Sequence, residues 1–98
     1  MFVNVIKSYR DVVDVCDNEL IGKRFEEGKF QLDIKENFFK GREASKEEIF
    51  EIMKDMKLED STFNIIGEQS VNIALKAKII TKESIGKIAG IPFALVLI

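Results

Sequence analysis

The sequence predicts an α/β (α+β) domain, a small mixed β-sheet of five or six strands with an N-terminal hairpin and two main helices. Three observations carry that prediction. Phe2 to Ser8 and Val12 to Cys16 are rich in β-branched residues and flank the polar break Tyr9-Arg10-Asp11, the pattern of a hairpin with a short loop. Ser45-Lys46-Glu47-Glu48 is a capping box, in which a serine and a glutamate three residues on satisfy each other's backbone N–H groups at a helix start. The run from Asn64 to Ile80 reads as the end of a strand, a single glycine at Gly67, and an amphipathic helix.

The elements follow in order. After the hairpin, Asp17-Asn18-Glu19 leads into Leu20-Ile21-Gly22, where Asp17 is placed to cap one helical turn that Gly22 ends. Phe25 belongs to a short extended piece, and Glu27-Gly28 reads as a turn. Phe30, Leu32 and Ile34 then alternate with Gln31, Asp33 and Lys35, which predicts a strand burying the first three. Asn37 to Arg42 reads as a turn or loop carrying two adjacent aromatics, Phe38 and Phe39. The helix opened by Ser45 sets Ile49, Phe50, Met53 and Met56 on one stripe, and should end near Lys57. A polar connection from Leu58 to Ser61 precedes a short apolar strand, Thr62 to Ile66.

The helix after Gly67 faces the core through Val71, Ala74, Leu75 and Ile79. Thr81-Lys82-Glu83 reads as a new cap or tight turn, Ile85 to Ala89 as a strand, and Gly90 and Pro92 bracket a turn. The last run, Phe93 to Ile98, is apolar throughout, which predicts a strand buried on both faces and central in its sheet. No linker, repeat or low-complexity stretch divides the chain, so residues 1–98 form a single compact domain.

Composition narrows the function classes. Charged residues make up 33% and the net charge is −2, which argues against a strongly basic nucleic-acid-binding protein and against an acidic disordered tail. One cysteine cannot close an intramolecular disulfide. No apolar stretch reaches the ~18–20 residues needed to span a bilayer, and Met1 to Ile6 contains Asn4 and leads into Lys7, unlike a secretion signal. The expectation is a cytoplasmic protein without membrane association. Histidine is absent, so imidazole catalysis, Ser–His and Cys–His nucleophile pairs, and His-containing zinc sites are excluded.

Candidate sites are few. A helix start following a strand exposes backbone N–H groups that attract anions, which marks the turn at Asn64, Gly67 and Glu68. Glu68, directly after the glycine, repels an anion while favouring the helix dipole, so the turn reads first as a plain cap. Cys16 stands among carboxylates, which raise a thiol pKa and make a buried, structural role the better reading. Asp14, Asp17 and Glu19 could form an acidic cluster for a hard cation, but EF-hand spacing is missing. They read as solvated surface carboxylates, and neither a metal nor a cofactor is expected.

Lys23, Arg24, Lys29, Lys35, Lys40 and Arg42 are interleaved with Phe25, Phe30, Phe38 and Phe39. Phosphate contact plus base stacking is how single-stranded RNA is bound, so Lys23, Arg24, Lys29, Phe39, Lys40 and Arg42 are the candidate RNA or partner contacts. Glu26, Glu27, Asp33 and Glu36 offset much of that charge.

Several blocks together resemble an archaeal family, the domain of unknown function numbered 424. They are Cys16-Asp-Asn-Glu-Leu-Ile-Gly-Lys-Arg-Phe-Glu-Glu-Gly28, Phe38-Phe-Lys-Gly41, Asn64-Ile-Ile-Gly-Glu-Gln-Ser-Val-Asn-Ile-Ala-Leu75 and Ile88-Ala-Gly-Ile-Pro92. The resemblance covers essentially the whole chain. It implies a compact α/β domain, no established activity and an association with translation. Similar proteins carry a histidine directly after the glycine-x-proline turn, where this chain has Phe93, and a glycine is expected near Lys78-Ile79 to close the helix.

Three functions follow as expectations. The first is a binding module for RNA or a ribosome-associated partner, without DNA sequence reading. The second is a protein–protein adapter using the hairpin edge or a hydrophobic patch. The third is an enzyme with Asp17, Glu19, Lys23 and Glu68 as acids and bases. Oligomeric state is left open.

Overall fold

The computed structural model describes residues 1–97; Ile98, the last residue of the terminal apolar run, lies outside the described residues. In chain order the strands are β1 (Phe2–Ile6), β2 (Val12–Cys16), β3 (Arg24–Glu27), β4 (Phe30–Asp33), β5 (Arg42–Glu43), β6 (Thr62–Ile66), β7 (Gly86–Ile88) and β8 (Ile91–Val96). The helices are α1 (Glu36–Phe39), α2 (Lys46–Leu58) and α3 (Glu68–Lys76), with single 3-10 turns at Asn18–Leu20 and Lys82–Ser84. Six strands make one mixed sheet in the order β5-β1-β2-β6-β8-β7, and β3 pairs β4 separately. Only β2 and β6 run parallel within the sheet among the described residues; the other pairs are antiparallel.

Strand alternation sorts the sheet's two faces. Val3, Val13, Val15, Phe63, Ile65 and Ala94 point to one face, where α2 supplies Ile49, Met53 and Met56 and α3 supplies Val71, Ile73 and Ala74. Burying each such large side chain contributes about 1.5–3 kcal/mol. The capping box at Ser45 starts α2 as the sequence requires, Glu48 N–H donating to Ser45 Oγ at 3.2 Å.

Both long helices end on a left-handed residue other than glycine. Lys78 has φ 59° after α3, with Lys78 N–H on Leu75 O at 3.1 Å and Ile79 N–H on Ala74 O at 3.0 Å. Asp60 has φ 55° after α2, with Asp60 N–H on Lys57 O at 3.1 Å and Ser61 N–H on Met56 O at 3.2 Å. Each pair of bonds is a Schellman motif. The glycine expected near Lys78-Ile79 is therefore replaced by a lysine bent into the same geometry, and the helix stops at Lys76.

The opposite face departs from expectation in four places. Asn37 to Phe39 lie in the short helix α1 rather than a loop, and Phe39 is buried against Cys16, Leu20, Ile34 and Ile66. Phe30 is 69% exposed, because β3 and β4 pair with each other as a separate two-stranded ribbon instead of joining the main sheet. β8 lies next to the edge strand β7 rather than at the centre, and Leu95 on its open face is 54% exposed. The turn of the last hairpin is Ala89-Gly90, both with positive φ as a two-residue hairpin loop requires. Pro92 is part of β8 rather than a bracket of that turn.

Candidate functional site

The N-terminus of α3 is already occupied by the chain's own carboxylate. Asp17 is 2% exposed. Its Oδ1 accepts from Ser70 N–H at 2.9 Å and from Ser70 Oγ at 2.7 Å, and its Oδ2 accepts from Gln69 N–H at 3.0 Å. A carboxylate there fills the positive end of the helix dipole. Gly67 sits at φ 110°, ψ 156°, a region open essentially to glycine alone. Glu68, in the first turn, is exposed. Asp17 thus caps α3 from across the fold, and its side chain makes no cap for the 3-10 turn it precedes. At the turn of Asn64, Gly67 and Glu68, the N–H groups of Gln69 and Ser70 are thus already taken by Asp17.

The sheet face opposite α2 and α3 is built in three cross-strand rows. Phe2, Cys16, Ile66, Phe93 and Gly86 form the first, and the segment from Leu20 to Phe39 covers it. Phe93, at the position where the resemblance calls for histidine, lays its ring over Gly86, 2.8 Å from where a Cβ would stand. Asn4, Asp14, Asn64 and Leu95 form the second row. Ile6, Val12 and Thr62 form the third.

Asp14, Asn64 and Leu95 of the second row and Ile6 and Val12 of the third floor a groove of about 490 Å³, walled by Leu32, Asp33, Phe38 and Phe39. Ile6, Phe38 and Leu95 are exposed along it. At its centre Asp14 is 3% exposed, and its Oδ1 accepts from Asn64 Nδ2 at 2.7 Å. Burial pushes the Asp14 carboxyl above its ordinary range, and the Asn64 hydrogen bond opposes that in part. A buried ionisable group with a displaced pKa in an apolar cleft makes this groove the candidate functional site. The sequence held the signal, since Asp14 interrupts the run Val12-Val13-Asp14-Val15-Cys16.

The structure divides the basic–aromatic segment. The ribbon of β3 and β4 leans on β7 at one edge of the sheet, while α1 packs on β1 and β2 and β5 closes the other edge. Six strands at about 4.8 Å spacing put those edges roughly 24 Å apart. Arg24 lies on the ribbon beside β7 and Arg42 on β5 at the other edge, while Lys23, whose carbonyl accepts from Ile34 N–H at 2.9 Å, stands beside the cluster of Cys16, Ile34 and Phe39. Arg24 pairs with Glu26 at 3.1 Å, Lys40 with Glu36 at 3.1 Å and Arg42 with Glu48 at 2.9 Å. Phe39 is core, so it cannot stack on a base; Phe30 and Phe38 are the exposed rings.

Asp14 and Asp17 are buried and serve different places, which overturns their reading as solvated surface carboxylates; Glu19 alone of that group is exposed. No three acidic or thiol groups are arranged to hold a metal among the described residues. Cys16 is fully buried, and burial first, then the Asp17 carboxylate, push its thiol up to about 12. No helix is long and apolar enough to cross a membrane among the described residues.

A family model described as "Protein of unknown function (DUF424)" matches residues 6–98. The chain belongs to this family. As a DUF424 member it shares its fold with a crystal structure described as that of an uncharacterized conserved protein from Methanopyrus kandleri. That likeness has a TM-score of 0.83 over 97% of this chain and 88% of the other, at 20% identity. No curated protein matches the sequence.

Proposed function

We propose that this DUF424 chain is a non-enzymatic binding module that docks an apolar segment of a protein partner in the groove over Asp14 and Asn64. The observation that carries this is the lining. Ile6, Phe38 and Leu95 are exposed along the groove, and its charged lining residues are Asp14 and Asp33, with no lysine or arginine. Exposed apolar surface rimmed by polar groups favours protein contact, and covering it gains roughly 25 cal/mol per Å². Two carboxyls repel a phosphate backbone, so the same groove disfavours RNA. The adapter reading therefore moves ahead of the RNA reading.

The test is affinity purification from the native cell after nuclease treatment, with wild type beside Leu95→Asp. A protein retained by wild type and lost with the variant, whose circular dichroism is unchanged, is the expected result. Material that disappears on nuclease treatment, or that both chains retain equally, contradicts it.

A second reading rests on Phe30 and Lys29, exposed together at the tip of the β3–β4 ribbon. That pair suits a stacked base beside a phosphate, in keeping with an RNA- or ribosome-associated role in translation. It requires single-stranded RNA affinity that falls with salt and weakens about tenfold in Phe30→Ala. Salt-independent or absent binding excludes it.

A further inference from the structure

We infer that the segment docking in the groove carries a basic side chain, arginine or lysine, that pairs with Asp14. The inference rests on the docking reading above and adds the chemistry of the occupant.

Three observations place a cation there. Asp14 and Asn64 are cross-strand neighbours on adjacent strands, and Asn64 Nδ2 donates to Asp14 Oδ1 at 2.7 Å. A carboxylate only accepts hydrogen bonds, so the amide nitrogen must face it, and the Asn64 oxygen is left for another donor. Among the described residues Asn64 is the sole donor to Asp14. Asp14 lines the groove, and no described donor reaches its second carboxylate oxygen.

The surroundings add to this. Asp33 is the second charged residue of the lining, and no described lysine or arginine shares the groove to neutralise either carboxyl. The field in the groove is negative, and its apolar walls from Leu32, Phe38 and Leu95 lower the local dielectric. A buried carboxyl without a protein counter-ion is unfavourable in the free chain. A partner's ammonium or guanidinium removes that cost, using one charge-assisted hydrogen bond to Oδ2 and a second to the Asn64 oxygen. An acidic or purely apolar segment cannot. The lining thus selects occupants by sign, and apolar contact alone would not.

The experiment uses the full chain, ¹⁵N-labelled, titrated by NMR with two capped pentapeptides at up to roughly millimolar concentration. One has the sequence Leu-Val-Arg-Val-Leu, and the other carries neutral citrulline in place of the arginine. The arginine peptide is expected to shift the amides of Asp14, Asn64 and Leu95. Its affinity should fall about thirty-fold or more with citrulline, and by a similar factor in Asp14→Asn. Asp14→Asn keeps an acceptor for Asn64, so its fold survives. Equal binding of both peptides at those amides overturns the inference and leaves the docking reading standing. Shifts confined to the β3–β4 ribbon, or none at all, overturn both.

Discussion

The Asp17 carboxylate occupies the space in which a side chain at Gly67 would stand. A Cβ built on Gly67 falls 2.4 Å from Asp17 Cγ, while the Asp17 oxygens hold the first N–H groups of α3. One residue's missing side chain thus makes room for another residue's charge. This pair joins the end of β2 to the start of α3, two elements fifty residues apart in the chain. Asp17 N–H on Ile66 O at 3.1 Å and Gly67 N–H on Pro92 O at 2.9 Å tie the same corner to β6 and β8.

Breaking either half of that pair should destabilise the fold. Gly67→Ala introduces a clash at a backbone angle that alanine avoids, and Asp17→Ala leaves buried N–H groups and the Ser70 hydroxyl without an acceptor. Each should cost about 3 kcal/mol. The double variant should cost less than the sum, because both act on one contact. Urea denaturation of the three variants measures this; strict additivity contradicts the coupling.

Asp14→Asn should stabilise the protein at neutral pH. The folded state raises this carboxyl above its ordinary value of 3.8. Below that value it is neutral in both states, so Asp14→Asn and wild type should unfold alike. As pH rises past it, the unfolded chain ionises first and wild type loses stability until Asp14 ionises in the fold as well. Thermal midpoints of the two proteins should coincide near pH 3 and then separate, with the variant higher at pH 7. A gap of the opposite sign contradicts the burial argument.

Lys78→Gly should also stabilise. Its left-handed backbone is strained for lysine and free for glycine, and the bond from Lys57 Nζ goes to its carbonyl, which glycine retains. A gain of about 1 kcal/mol, or a midpoint rise of ~5 °C, is expected. Ser61→Ala should act in the same direction by a similar amount, because Ser61 Oγ is buried without a hydrogen-bond partner.

Cys16 should resist thiol reagents in the folded protein. With its pKa at about 12, very little thiolate exists at neutral pH, and no surface exposes the sulfur. Labelling should therefore track global unfolding and accelerate with denaturant. Prompt labelling of native protein would show that the Cys16 row opens on its own.

Much of the fold was legible in the sequence because local rules decided it. The capping box set the start of α2, and β-branched runs marked β1, β2 and β6. Long-range placement was not legible. Phe30 alternates correctly for a buried strand, yet its partner strand β3 rather than the main sheet lies beside it. Phe93 to Ile98 reads as a central strand, but β8 lies beside the edge strand β7, an order that only the tertiary pairing decides. Asp17 looked like a local cap because sequence proximity favours the turn at Asn18; its acceptor role at Gln69 and Ser70 needed the parallel pairing of β2 with β6 to bring it there. The groove went unread for the same reason. Asp14 and Asn64 meet only through that pairing, and Ile6, Phe38 and Leu95 come from three separate segments.

The open half of the sheet, floored by Asp14 and Asn64, is the proposed docking surface. Amide hydrogen exchange of the chain alone and with its co-purified partner tests it most directly. New protection is expected at Ile6, Asp14, Asn64 and Leu95, on four neighbouring strands, with the β3–β4 ribbon tip at Phe30 unchanged. Protection confined to Lys29 and Phe30, with those four positions unaltered, would contradict it.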